Sequence, residues 1–109
     1  MANKFIKIAD RESWDKLLTA SREGPVLVFK HSNSCGISSA AYREMEKLEN
    51  VNFLEVQSAR ELSSEIEATT GVTHETPQVI VLRDGKAVWN ASHSRVKADR
   101  VSEALQANS

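Results

Sequence analysis

The sequence predicts an α/β fold: a central mixed β-sheet flanked by helices on both faces, in the order β-α-β-α-β-α-β-β-α. Three observations lead there. Two short runs, Val26-Leu27-Val28-Phe29 and Val79-Ile80-Val81-Leu82, are apolar at every position, as strands covered on both faces are. Helical periodicity separates the early strands, which implies right-handed parallel crossovers. Asp84-Gly85 is a hairpin-turn signal, so the sheet closes with an antiparallel pair.

Each element has its own signal. Phe5, Ile6 and Ile8 suggest a short first strand. Asp10 then caps a helix carrying Trp14, Leu17 and Leu18 on one face, and Gly24-Pro25 stops it. The Val26–Phe29 run is the central strand. After the cysteine loop, Ile37, Ala41, Met45 and Leu48 recur at helical spacing, and Arg43, Glu44, Glu46, Lys47 and Glu49 read as that helix's solvated face. Val51, Phe53, Leu54 and Val56 form a second buried strand. Ser58-Ala59-Arg60-Glu61 reads as a capping box for a helix that buries Leu62 and Ile66 and ends near Gly71. Thr76-Pro77 precedes the Val79–Leu82 run, and Lys86 to Trp89 return antiparallel to it. Trp14 and Trp89 are packing residues, the second on the outer hairpin. Ser94 caps a last helix with Ala98, Val101 and Leu105 inward, and Gln106 to Ser109 are expected to fray.

A length of 109 residues points to a single domain, 1–109, with room for a real core. The net charge of −1 supplies no basic field for nucleic acid or anionic lipid, so neither is a default partner. No stretch approaches membrane-spanning length, and the start lacks a signal-peptide pattern, so a cytoplasmic location is expected. There is one cysteine, hence no internal disulfide.

That cysteine, Cys35, lies past the carboxyl end of the central strand and at the start of a helix, where sites gather in open α/β sheets. Unpaired backbone N–H groups and the helix dipole favour an anion there, so a thiolate should form readily. A structural cysteine would sit among apolar neighbours. Cys35 instead has Ser32, Asn33, Ser34, Gly36 and Ser38 around it, which favours a reactive thiol.

A cysteine between strand and helix, followed by Thr76-Pro77 before an antiparallel hairpin, resembles the thioredoxin fold. More narrowly, the whole chain resembles the YtxJ-type monothiol bacilliredoxins. The matching stretches are Phe29-Lys30-His31-Ser32, Cys35-x-Ile37-Ser38, His74-Glu75-Thr76-Pro77-Gln78 and Ala91-Ser92-His93-Ser94. The family pattern is T-C-P-I-S; Ser34 and Gly36 stand here in place of threonine and proline, and the glycine loosens the first helical turn.

The resemblance implies a thiol-disulfide oxidoreductase acting on S-thiolated client proteins. Cys35 would be the catalytic nucleophile and take up a low-molecular-weight thiol, bacillithiol, as cosubstrate, with no tightly bound cofactor and no metal. Pro77 would be cis, and Thr76 would offer its backbone to an extended substrate, with Ser34 beside the thiol in the same substrate-binding group. Ser38, one turn after Cys35, either hydrogen-bonds the thiolate or bonds backbone or water. His31, His74 and His93 should all lie toward the Cys35 end of the sheet. An imidazolium there would lower the thiol pKa or bind an acidic cosubstrate; His31 and His93 are the supporting candidates. Lys30 either adds positive charge near the thiol or points to water.

Three other functions compete. Cys35-Gly36-Ile37-Ser38 is similar to the C-G-F-S signature of monothiol glutaredoxins, which bridge a [2Fe–2S] cluster, but the flanking motifs of those proteins are missing. A zinc site from Cys35 and the histidines lacks any ligand spacing. A noncatalytic binding module would use the Pro77 groove and survive Cys35→Ser.

Overall fold

The computed structural model describes residues 5–32 and 36–109, the side chains at 36–38 excepted. Its elements are β1 (Phe5–Lys7), α1 (Arg11–Ala20), β2 (Val26–His31), α2 (Gly36–Met45), β3 (Val51–Glu55), α3 (Arg60–Thr70), β4 (Gln78–Arg83), β5 (Lys86–Ser92), a 3-10 turn (His93–Arg95) and α4 (Ala98–Ala107). The sheet order is β1-β3-β2-β4-β5. β3 pairs parallel with β1 and β2, while β4 runs antiparallel to β2 and β5. This is the thioredoxin-like arrangement the sequence implied.

Strand parity divides the core. Leu27 and Phe29 of β2 and Val79 and Val81 of β4 pack with Ala41, Met45, Val101 and Ala104 of α2 and α4. Val26, Val28, Ile80 and Leu82 pack on the other face with Trp14 of α1 and Leu62 and Ile66 of α3. Every residue of Val79–Leu82 is fully buried, so the uninterrupted apolar run is explained by helices on both sides.

Local signals placed several boundaries correctly. Asp10 caps α1, its carboxylate accepting the Ser13 N–H at 2.8 Å. Gly71 ends α3 in the left-handed region, its N–H donating to the Glu67 carbonyl. Asp84 and Gly85 both have positive φ, the two-residue turn whose twist suits a hairpin.

Other boundaries differ because distant residues supply the caps. α1 ends at Ser21, not at Gly24-Pro25. The buried Ser21 hydroxyl donates to the Leu18 carbonyl and accepts the Gly85 N–H, joining the helix end to the hairpin turn. The Ser58 capping box does not form: Ala59 is the N-cap and makes no side-chain bond, while the Ser58 hydroxyl donates back to the Glu55 carbonyl. Ser94 sits in the 3-10 turn rather than capping α4. Glu44 of α2 takes that role, accepting the Ala98 N–H at 2.9 Å, so it is not merely part of a solvated face. α2 stops at Met45, leaving Leu48 beyond it but still packed on the core. β5 runs on to Ser92, with a register shift opposite Val81/Leu82. The C-terminal end is held as well, since Arg83 donates to the Asn108 carbonyl at 2.9 Å. Trp14 is buried and Trp89 packs on the core as expected. Among the described residues no helix is long and apolar enough to cross a membrane.

Candidate active site

Four strand ends meet at one edge of the sheet. β2 ends at His31 beside Glu55 of parallel β3, and the antiparallel register sets Lys30 opposite Gln78 and Gln78 opposite Ser92. The amino end of α2 starts at the same edge, at Gly36. Asn33, Ser34 and Cys35, with the Ser38 side chain, lie outside the described residues. Ser32, the residue before them, is buried, and its hydroxyl accepts the Gln57 amide at 2.7 Å.

The segment before β4 forms one wall of the edge. The Thr76–Pro77 peptide is cis. Pro77 is buried and Thr76 half-buried. α3 anchors the segment from one side: the His74 N–H donates to Glu67 at 2.7 Å, and the His74 ring lies 3.0 Å from the Ser63 hydroxyl. Gln78 holds it from below, its amide donating to the Thr73 carbonyl at 2.9 Å. The 3-10 turn after β5 anchors it from the other side, the His93 N–H donating to the Pro77 carbonyl at 2.8 Å.

The three histidines do share this end of the sheet, but they face different surroundings. His31 belongs to the α2/α4 face, its ring 5.6 Å from Phe29 and 5.2 Å from Tyr42. Its Nδ1 is buried without a partner among the described residues. Burial pushes its pKa below the usual histidine value, opposed by Glu55. His74 is also pushed down, by burial first and then by the charge of Lys30, against Glu67 and Glu75. At both positions burial disfavours the imidazolium. His93 has φ 56° and points Nε2 at Glu75, 3.1 Å away. The Ser92 hydroxyl donates to the other Glu75 oxygen at 2.8 Å. These two bonds, Ser92 first, hold the Glu75 carboxyl below its ordinary range. Among the described residues no group of three His, Cys, Asp or Glu could hold a metal ion.

Lys30 does not point to water. It is 0% exposed, on the α1/α3 face with Val26 and Val28, and Nζ has no hydrogen-bond partner among the described residues. Burial lowers its pKa to about 8, with Glu67 opposing the shift.

Sequence reasoning missed Glu75, Gln78, Gln57, Ser63 and Glu67 as parts of this edge. A signal existed for one pair: Lys30 and Gln78 have the parity of the buried residues Val28 and Ile80, in strands apolar on both faces.

Comparison with known proteins agrees with this architecture. The family described as monothiol bacilliredoxin BrxC matches residues 6–101. A solved thioredoxin-fold protein, assigned provisionally as an oxidoreductase, is 30% identical with a TM-score of 0.84 over 92% of each chain. More distant likenesses show the fold alone. A single-site mutant of thioredoxin from Halobacterium salinarum has 14% identity and a TM-score of 0.75, over 98% of this chain and 93% of that one. Spinach chloroplast thioredoxin f, in its short form, has 21% identity and a TM-score of 0.69, over 97% and 94%.

Proposed function

The chain belongs to the monothiol bacilliredoxin family, and from that premise we propose that it removes bacillithiol from mixed disulfides on client proteins through Cys35. The family match and the thioredoxin-fold neighbour support a thiol oxidoreductase. The observation that carries the finer reading is the position of the sole cysteine. In the sequence it directly precedes α2, and α2 begins at the edge where β2 ends and the Thr76–Pro77 segment enters β4.

In this reading the Cys35 thiolate attacks the bacillithiol sulfur of a client mixed disulfide. The sulfur–sulfur bond between bacillithiol and the client breaks, the client leaves as a thiolate that takes a proton from water, and Cys35 becomes disulfide-bonded to bacillithiol. A second thiol, as its thiolate, then attacks the bacillithiol sulfur; a new disulfide forms between the two, the bond to Cys35 breaks and Cys35 leaves as the thiolate. The amino end of α2 stabilises the thiolate in both steps. Gly36 starts that helix, and Ser38 lies on its first turn. Thr76 and Pro77 form the strip along which a client backbone lies, with His93, held by Glu75, beside it, and Ser34 is assigned to the same binding role from its place before Cys35 in the sequence. The cosubstrate is a small thiol, no cofactor is tightly bound, and a reducing cytoplasm suits the chemistry.

The test incubates the protein with a bacillithiolated client and follows intact masses. The expected result is a free client thiol together with one bacillithiol on the protein, and neither product with Cys35→Ser. Client release that persists with Cys35→Ser would overturn the assignment, as would a client that stays thiolated with the parent protein.

A further inference from the structure

We propose that the basic cavity between the edge strand β5 and the start of α4 is a docking surface for an extended acidic segment of the client protein. That the segment belongs to a client rests on the thiol-exchange reading. The preference for an acidic segment is argued from the cavity alone.

The cavity encloses about 470 Å³ and is lined by Trp89, Asn90, Ser94, Arg95, Lys97 and Arg100 among others. Three of the lining residues are cations and none is a carboxylate. All three cations are exposed, and among the described residues none of them makes an ion pair. The nearby carboxylates are engaged elsewhere. Glu44 accepts the Ala98 N–H and pairs with Lys47. Glu75 accepts the Ser92 hydroxyl and lies beside His93, and Asp99 accepts the Arg100 N–H. The concentration is local, because the whole chain carries 14 Lys and Arg against 15 Asp and Glu.

The arrangement works against the fold. Lys97 is the N-cap of α4 and Arg100 stands in its first turn, at the positive end of the helix dipole, with Asp99 the one acidic residue there. The three like charges also repel one another. Carboxylates seated in the cavity would offset both effects.

An extended chain fits this place better than a free anion. β5 lies at the edge of the sheet and pairs with β4 alone, so its outer backbone groups can bond an added strand. Trp89 and Ala91 of β5 face the α4 side, where the cations line the cavity, so every second side chain of an added strand would meet them. The surface also continues the client strip. The 3-10 turn that carries Arg95 begins at His93, whose N–H bonds the Pro77 carbonyl. Docking is noncovalent, so no bond is made or broken here.

The test titrates the full-length Cys35→Ser protein with a blocked six-residue peptide alternating glutamate and threonine, and with its glutamine counterpart, while recording amide and indole NMR. Thiol chemistry is absent from that protein, so the result is independent of the exchange reading. Saturable shifts from the acidic peptide are expected at the Trp89 indole N–H, the Asn90 side-chain amide and the backbone amides of 94–100. Binding should weaken with salt, and by about tenfold in the combined Arg95→Gln, Lys97→Gln and Arg100→Gln variant. Arg95→Lys with Arg100→Lys should keep most of it. In exchange assays the parent should show a lower KM, at unchanged kcat, for a bacillithiolated peptide with an acidic extension than for one with a glutamine extension, and the combined variant should not. Equal binding of the glutamine peptide, equally tight binding of inorganic phosphate or of a six-nucleotide oligothymidylate, shifts centred on Arg43 or Arg60, or no saturable shift would each overturn the surface. If exchange works and the acidic peptide does not bind, only the surface fails. If the peptide binds and exchange is absent, the exchange reading fails and the acidic preference stands.

Discussion

The two ends of this sheet are finished differently. At the hairpin end, Arg83 donates to the carbonyls of Ser21, Arg22 and Asn108, and Ser21 takes the N–H groups of Asp84 and Gly85 on its carbonyl and hydroxyl. One arginine and one serine thereby tie α1, the β4–β5 turn and the C-terminal end together. At the opposite end lie three of the four buried polar side-chain atoms that lack partners among the described residues: Lys30 Nζ, His31 Nδ1 and Gln78 Oε1. The hairpin end satisfies its polar groups within the protein, and the cysteine end leaves some unsatisfied. Unsatisfied buried groups cost stability. Their concentration at one end is what a ligand-handling edge requires, because groups already bonded within the protein have nothing to offer a substrate.

The sharpest way to test that contrast is Lys30→Met. Lys30 is fully buried and its pKa is lowered to about 8, whereas a lysine in an unfolded chain titrates at ~10.4. Below about 8 both states carry the proton, and the native state bears the whole cost of an unpartnered ammonium. Between about 8 and the unfolded value the unfolded chain holds more protons, so native stability rises with pH across that window. Methionine carries no charge and fills a similar volume. The variant is expected to be more stable than the parent at pH 7 by roughly 2–3 kcal/mol, with the gap narrowing above pH 8. Urea unfolding at several pH values reads this. A variant less stable than the parent, or a gap independent of pH, would show that the lysine is not a cost to the fold.

At the hairpin end the sign reverses. Arg83→Ala removes three bonds to carbonyl oxygens and should lower stability by about 2 kcal/mol. Ser21→Ala leaves the Gly85 N–H without its acceptor, and a loss of about 1 kcal/mol is expected. Neither residue lies near the cysteine edge, so the rate of thiol exchange per folded molecule should not change. If Arg83→Ala slowed exchange as strongly as it lowered stability, the two ends would be coupled and the contrast between them would fail.

The same contrast explains what could be read from the sequence. Signals confined to a few residues were legible: the all-apolar strands, the Asp10 cap, the Gly71 stop and the Asp84-Gly85 turn. The missed features depend on partners brought from far along the chain. Glu44 caps a helix that starts at Ala98, and Ser21 accepts from Gly85. No local pattern marks either pair. At the site, topology alone could bring the three histidines to one end, because strand ends converge there whatever their side chains do. It could not tell which face each imidazole meets. That depends on strand parity for His31, on Ser63 for His74 and on Glu75 for His93.

The smallest expected effect concerns Glu75, which joins the cis-proline segment to the end of β5. Its carboxylate accepts from the Ser92 hydroxyl and lies beside His93 Nε2, and the His93 N–H in turn bonds the Pro77 carbonyl. The group is exposed, so its loss should leave global stability nearly unchanged. The local consequence should be visible in hydrogen exchange. Glu75→Gln weakens the charge-assisted bonds, so the His93 amide should exchange faster while the core amides of β4 do not. The pH dependence has a definite sign. Because the folded-state pKa of Glu75 is lowered, the bonds are fully present above its ordinary carboxylate range and are lost as pH falls through the folded value. Protection of the His93 amide should therefore decline with acidification in the parent and approach that of Glu75→Gln. An amide equally protected in both proteins at neutral pH would mean that the positive-φ backbone at His93 is held by the Pro77 carbonyl alone. Glu75 would then be a surface carboxylate with no part in shaping the edge that Thr76 and Pro77 line.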